Sequence, residues 1–112
     1  MIEVIFDRDD RGFRALYMNG HAGYGSEGND IICASASTLF YTCANALIEL
    51  CGMKDEEVFI RETEDGDVDA HVILPDLEGE KASKAQIIME TVHIGFINLR
   101  DSVGDTYISL VD

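Results

Sequence analysis

Hydrophobic and polar positions alternate from the first residues of the chain. Ile2, Val4 and Phe6 alternate with Glu3 and Asp7, the two-residue period of a half-buried strand. Asp9-Asp10-Arg11-Gly12 follows as a turn. Phe13, Ala15 and Tyr17 alternate with Arg14, Leu16 and Met18, which predicts a second strand and a hairpin. The pattern then lapses. Gly20 to Asn29 holds four glycines and no aliphatic residue larger than Ala22, so a loop is expected there. Asp30 has the residue type of a helix N-cap. The next 21 residues contain no Gly or Pro and one charge, Glu49. Ile32, Ala36, Leu39, Phe40, Cys43, Leu47 and Leu50 recur at helical spacing, and Ile31, Ala34, Ala44, Ile48 and Cys51 fill much of the opposite side. A helix apolar on most faces is buried centrally or shared with a partner subunit. Gly52 is a suitable stop.

A second hairpin is expected from Val58 to Glu64, the turn Asp65-Gly66, and Val68 to Leu74, ended by Pro75. Ser83-Lys84-Ala85-Gln86 has the form of a capping box. The helix it opens carries Ile88, Val92, Phe96 and Leu99 on one face and is expected to run to about Arg100. Tyr107 to Val111 reads as a closing strand. The order ββα-ββα-β predicts an α+β fold in one domain over residues 1–112, with one mainly antiparallel sheet packed with two helices.

Composition narrows the function. The chain has 112 residues, 46% of them apolar, and a net charge of −14. Nucleic-acid backbones and anionic membrane surfaces are bound by cations, so direct contact with either is not expected. No apolar run is expected to reach the ~18 to 20 residues of a membrane span, and Met1-Ile2-Glu3 is not expected to begin a signal peptide. The odd count of three cysteines, Cys33, Cys43 and Cys51, suits a reducing compartment, and a cytoplasmic location is expected. From Asp55 to Glu80 there are eleven acids and one base, Arg61. Such a stretch is either a solvated hairpin or a docking surface for a basic partner.

The chemistry concentrates between Gly20 and Ser37. With Asp30 as cap, Cys33 is the third helical residue, where unpaired N–H groups and the helix dipole favour a thiolate. His21 sits at the end of the preceding strand, and folding of the glycine loop can bring its ring beside Cys33. Imidazole can take the thiol proton and return one to a leaving amine, which makes Cys plus His the minimal apparatus for acyl transfer. The N–H groups around Cys33 are then placed to hold an oxyanion. Taken singly, a helical cysteine is an ordinary core residue and a histidine beside a glycine loop an ordinary loop residue. Pairing across the loop leaves both readings open on physics alone. Gly23-Tyr24-Gly25-Ser26-Glu27-Gly28 matches G-x-G-x-x-G, but its strand belongs to a hairpin rather than a βαβ unit. Glu27 and Asp30 would also place negative charge where a pyrophosphate sits.

These residues carry a resemblance. Gly20-His21-Ala22-Gly23, an interval, and then Asp30-Ile31-Ile32-Cys33-Ala34-Ser35-Ala36-Ser37 closely resemble the ribosomal-processing cysteine protease family, Prp. The length and the ββα-ββα-β order also fit. The resemblance implies a cytoplasmic, homodimeric endopeptidase without a cofactor. It implies removal of the N-terminal extension from the precursor of bacterial large-subunit ribosomal protein twenty-seven, with cleavage after an aromatic residue. It makes Cys33 the nucleophile and His21 its base, and gives Gly20, Asp30 and Ser37 supporting roles. Asp30, Cys33 and Ser37 stand on one side of a helix; Asp30 either caps that helix or orients His21. Gly23, Tyr24, Gly25 and Gly28 belong to a loop expected to close over substrate, with Tyr24 a candidate aromatic contact.

The residues bear on two other functions. An acidic dimer could capture basic peptides without catalysis. A redox role lacks a C-x-x-C pair. Cys43 and Cys51 are expected as core thiols. His71, on a strand face with Asp69 and Ile73, lacks a third metal ligand nearby, so no metal site is expected. His93 is expected to be structural.

Overall fold

The computed structural model describes residues 1–21, 27–62 and 67–112, without the side chains of residues 21 and 27–30. Among these residues the elements are β1 (Ile2–Asp9), β2 (Gly12–His21), α1 (Glu27–Cys51), a 3-10 turn (Asp55–Glu57), β3 (Val58–Glu62), β4 (Asp67–Ile73), α2 (Gly79–Val103) and β5 (Ile108–Val111). The strands form one sheet in the order β3-β4-β2-β1-β5. Every neighbouring pair is antiparallel except β1 and β5. The expected α+β architecture is therefore present, with a parallel edge added by β5.

Register explains which residues turn inward. Phe6 faces Leu16 and Val4 faces Met18 across β1–β2, while Leu16 and Met18 face Val72 and Ala70 across β2–β4. All six are buried, and with Ile2 and Ile108 they form the sheet's contribution to the core. The simple alternation of β2 does not persist along its whole length. The pairing slips between Asp7 and Arg8, leaving Arg14 as an extra residue, so Phe13 turns inward together with Leu16 and Met18. Past the end of the β2–β4 ladder, the Gln86 side chain accepts from Phe13 N and donates to Phe13 O, both at 2.8 Å. These bonds satisfy the strand's backbone and tie α2 to the sheet.

α1 contributes Ile32, Ala36, Phe40, Cys43, Leu47 and Cys51 to the core. It ends in an αL cap: Gly52, at φ 69°, donates from its N to Ile48 O at 3.1 Å, and Met53 N donates to Leu47 O at 3.3 Å. Contrary to expectation, an apolar stretch of span length exists: Ile31–Cys51 has 21 residues and a mean hydropathy of 1.6. Its buried line packs into the shared core, so its apolar character has a use within the fold. α2 contributes Ala85, Met89, Val92 and Phe96. It starts at Gly79 rather than at the expected capping box, and Ser83 Oγ donates to Gly79 O at 3.4 Å within the helix. A Glu80–Lys84 pair at 3.5 Å supports that added turn.

On the other face of the sheet, Val111, Ile5, Tyr17, His71 and Phe59 form one cross-strand row. His71 stacks on Phe59 with centroids 5.1 Å apart. That packing gives this histidine a structural place.

Candidate active site

Gly20 and His21 close β2. Gly20 has φ 146°, and a Cβ there would meet the carbonyl oxygen of Met1 and lie 2.8 Å from Ile2 Cα. Only glycine lets β1 and β2 approach so closely at this point. Gly20 thus fixes sterically the end of β2, next to His21. The register partner of His21 is Asp67, the first residue of β4.

Cys33, Ser37 and Asp30 all lie on α1, but the helix begins one turn earlier than expected. Its first residue is Glu27, so Asp30 is the fourth helical residue and Cys33 the seventh. Asp30 is not the cap. Gly28, expected in the closing loop, is also helical; Gly23, Tyr24 and Gly25 lie outside the described residues. The orphan N–H donors of a helix belong to its first turn, and the dipole acts mainly there. At the seventh position the amide of Cys33 falls within the helical ladder. Thiolate stabilisation and oxyanion binding by a helix start at Cys33, both expected from the sequence, are therefore not supported by this geometry.

Burial separates the three cysteines, which form no disulfide. Cys33 is half-buried at the edge of the core. Cys43 is fully buried, with its Sγ 3.6 Å from Met89 Sδ, and burial pushes its pKa up to about 12. Burial also raises Cys51, against the opposing charges of Lys84 and Lys81. Removal from water disfavours both thiolates, as expected for core thiols.

One turn beyond Cys33, Ser37 lines a cavity of about 130 Å³. Met18, Phe40, Tyr41, Ile60 and Val68 form its largely apolar wall, and Glu62 is the charged residue among those lining it. A cavity of order ~150 Å³ takes a benzene ring. Sequence reading missed this pocket because α1 and the outer hairpin meet only in three dimensions.

His93 lies elsewhere. It is buried against Phe6 and Phe13, at centroid distances of 4.8 and 5.5 Å, with Nε2 2.8 Å from Asp112 Oδ2. Arg8 also pairs with Asp112 and holds its carboxyl below the ordinary range, with help from the charge of His93. This cluster anchors the end of β5, in keeping with the structural role expected of His93.

The family model for cysteine protease Prp matches residues 1–109. The chain belongs to the Prp family of cysteine proteases. The Bacillus subtilis ribosomal processing cysteine protease Prp is 31% identical over 91 residues, 80% of this chain and 79% of its own. Among solved structures, Streptococcus mutans SMU.848 superposes with a TM-score of 0.80 at 28% identity, covering 99% of this chain and 92% of its own. Staphylococcus aureus Prp, solved with a covalently linked product peptide, gives 0.72 at 28% identity over 99% and 98% of the two chains. The chain is accordingly a cysteine protease with the Prp fold.

Proposed function

We propose that this Prp-family protein removes the N-terminal extension of large-subunit ribosomal protein twenty-seven, with Cys33 as nucleophile and His21 as general base. The observation that carries the reading is the placement of the half-buried thiol. Cys33 stands one helical turn from a cavity suited to an aromatic ring, while the other thiols are sealed in the core. The ribosomal-processing names of the relatives and the product peptide on the Staphylococcus protein support the same reading.

In this mechanism His21 accepts the Cys33 proton and the sulfur attacks the carbonyl carbon of the scissile bond. The tetrahedral intermediate collapses with cleavage of the C–N bond, and the imidazolium gives its proton to the departing amine. Water, deprotonated by His21, then hydrolyses the thioester and restores the thiol. The aromatic side chain before the cut enters the cavity beside Ser37. Ser37 and Asp30 support the site from α1, and the loop holding Gly23, Tyr24 and Gly25 closes over the substrate. A ribosomal protein is basic, and the charge of −14 favours its approach. The reaction belongs to the cytoplasm, where thiols stay reduced; it needs no cofactor, nucleic acid or membrane.

A homodimer is part of this proposal. The outer faces of α1 and α2 expose Ile31, Tyr41, Ile87 and Ile94, at 65%, 45%, 67% and 51%. No charged residue occurs from Ile31 to Ile48 in an otherwise highly charged chain. Such a face suits a second copy.

Incubation with a precursor peptide, followed by mass spectrometry, tests the activity. One cut after the aromatic residue is expected, with cleavage lost when that residue becomes Ala. An intact peptide after prolonged incubation overturns the substrate assignment.

A further inference from the structure

β3 is an edge of the sheet, with β4 as its one neighbour among the described residues. Two hydrogen bonds fix the direction of its backbone groups. Leu74, just past β4, donates from its N to Arg14 O on β2. Backbone groups alternate in direction along a strand, so Val72 and Ala70 also turn to β2, while His71 and Asp69 turn to β3. Phe59 and Arg61, opposite His71 and Asp69, therefore make the ladder bonds of β3. Ile60 and Glu62 turn their N–H and C=O groups to the open edge. Val58 agrees, because its N–H donates to Asp55 O and not to β4.

Such an edge pairs with an extended chain unless it is blunted. Val58-Phe59-Ile60 holds no Lys or Pro, its register with β4 is unbroken, and Phe59 and Ile60 are 41% and 40% exposed. Ile60 and Glu62, whose backbones face the edge, also line the cavity beside Ser37. A residue paired opposite either of them projects to the same side of the sheet, toward α1. Charge selects the occupant. Asp55, Glu56 and Glu57 precede β3 and Glu62 ends it, so two copies of this edge repel each other and a basic peptide is attracted. β5, the other edge strand, lies four places along the sheet from β3.

We propose that the substrate docks by adding a strand to β3. An extended, basic segment of the precursor exchanges backbone hydrogen bonds with Ile60 and Glu62 and sets alternate side chains toward the cavity. The side chains between them fall on the outer face, beside Phe59 and Arg61. Main-chain bonds hold the segment extended whatever its sequence, and the cavity then selects the aromatic residue. This docking mode deepens the proposed function and rests on it.

Two readouts test the docking. In full-length Cys33→Ala protein, amide hydrogen exchange is followed with and without saturating precursor peptide. The amides of Phe59 and Arg61 are expected to exchange slowly in both states, and those of Ile60 and Glu62 to lose their fast exchange when peptide binds. Ile60 and Glu62 amides that stay fast with peptide bound overturn the proposal. In the intact protein, the backbone amides of the precursor peptide are N-methylated one at a time, the scissile bond excepted. KM is expected to rise about 5-fold at every second residue of the docked segment and to change little between, the loss of one hydrogen bond of ordinary net strength. A scan without that alternation overturns the proposal, and it decides alone if the Cys33→Ala protein does not saturate. An unmodified precursor peptide left intact by the parent would instead overturn the underlying function, so the two failures are distinguishable.

Discussion

At the residue scale, solvent access distinguishes three thiols of identical chemistry. Iodoacetamide is expected to modify Cys33 in the folded protein and to spare Cys43 and Cys51 until unfolding, because burial favours their neutral forms. Peptide mapping after alkylation checks this, and modification of Cys43 at a comparable rate would contradict the burial argument. The spacing of His21, Asp30, Cys33 and Ser37 made the candidate residues legible in the sequence. Their electrostatic setting was not legible, because it depends on where the helix starts. The register that sets Asp67 opposite His21 stayed hidden for a different reason: the two lie far apart in sequence and their strands pair only in the fold.

At the element scale, strand periods and the stop of α1 at Gly52 were readable, whereas both helices start about a turn earlier than expected and α2 runs on to Val103 rather than ending near Arg100. Asp30 and Ser83 have the chemistry of caps, yet Glu27 and Gly79 begin the helices. Local capping preferences contribute only about 1 kcal/mol and yield to tertiary packing. The β2 bulge was likewise unreadable, since it is a property of the pair. Gly20→Ala is expected to cost about 2 kcal/mol or more, because the new Cβ strikes the backbone of β1 in a conformation unfavourable to L-residues. Denaturant unfolding checks this, and unchanged stability would remove the steric role. Asp112→Asn tests the β5 anchor. The folded-state pKa of Asp112 is depressed, so its contribution is present above the unfolded value of 3.8 and is lost as pH falls through the lower folded value. The parent should therefore exceed the variant in stability at pH 7, with the gap closing in acid. A gap independent of pH would exclude this charge effect.

At the whole-molecule scale, a five-stranded sheet backs two helices whose outer faces leave apolar side chains in water. The fold class was legible because each element carries its own period, but the partner of the helical face is not encoded by periodicity. Light scattering should give the mass of a dimer, and Ile87→Glu should shift it toward monomer; a monomeric parent at micromolar concentration would contradict the proposed assembly. The central claim concerns one sulfur atom. Time-resolved mass spectrometry of the full chain with the precursor peptide should show trimming and a transient thioester of the upstream fragment on Cys33, with both absent from Cys33→Ser. Undiminished trimming by Cys33→Ser would contradict the account.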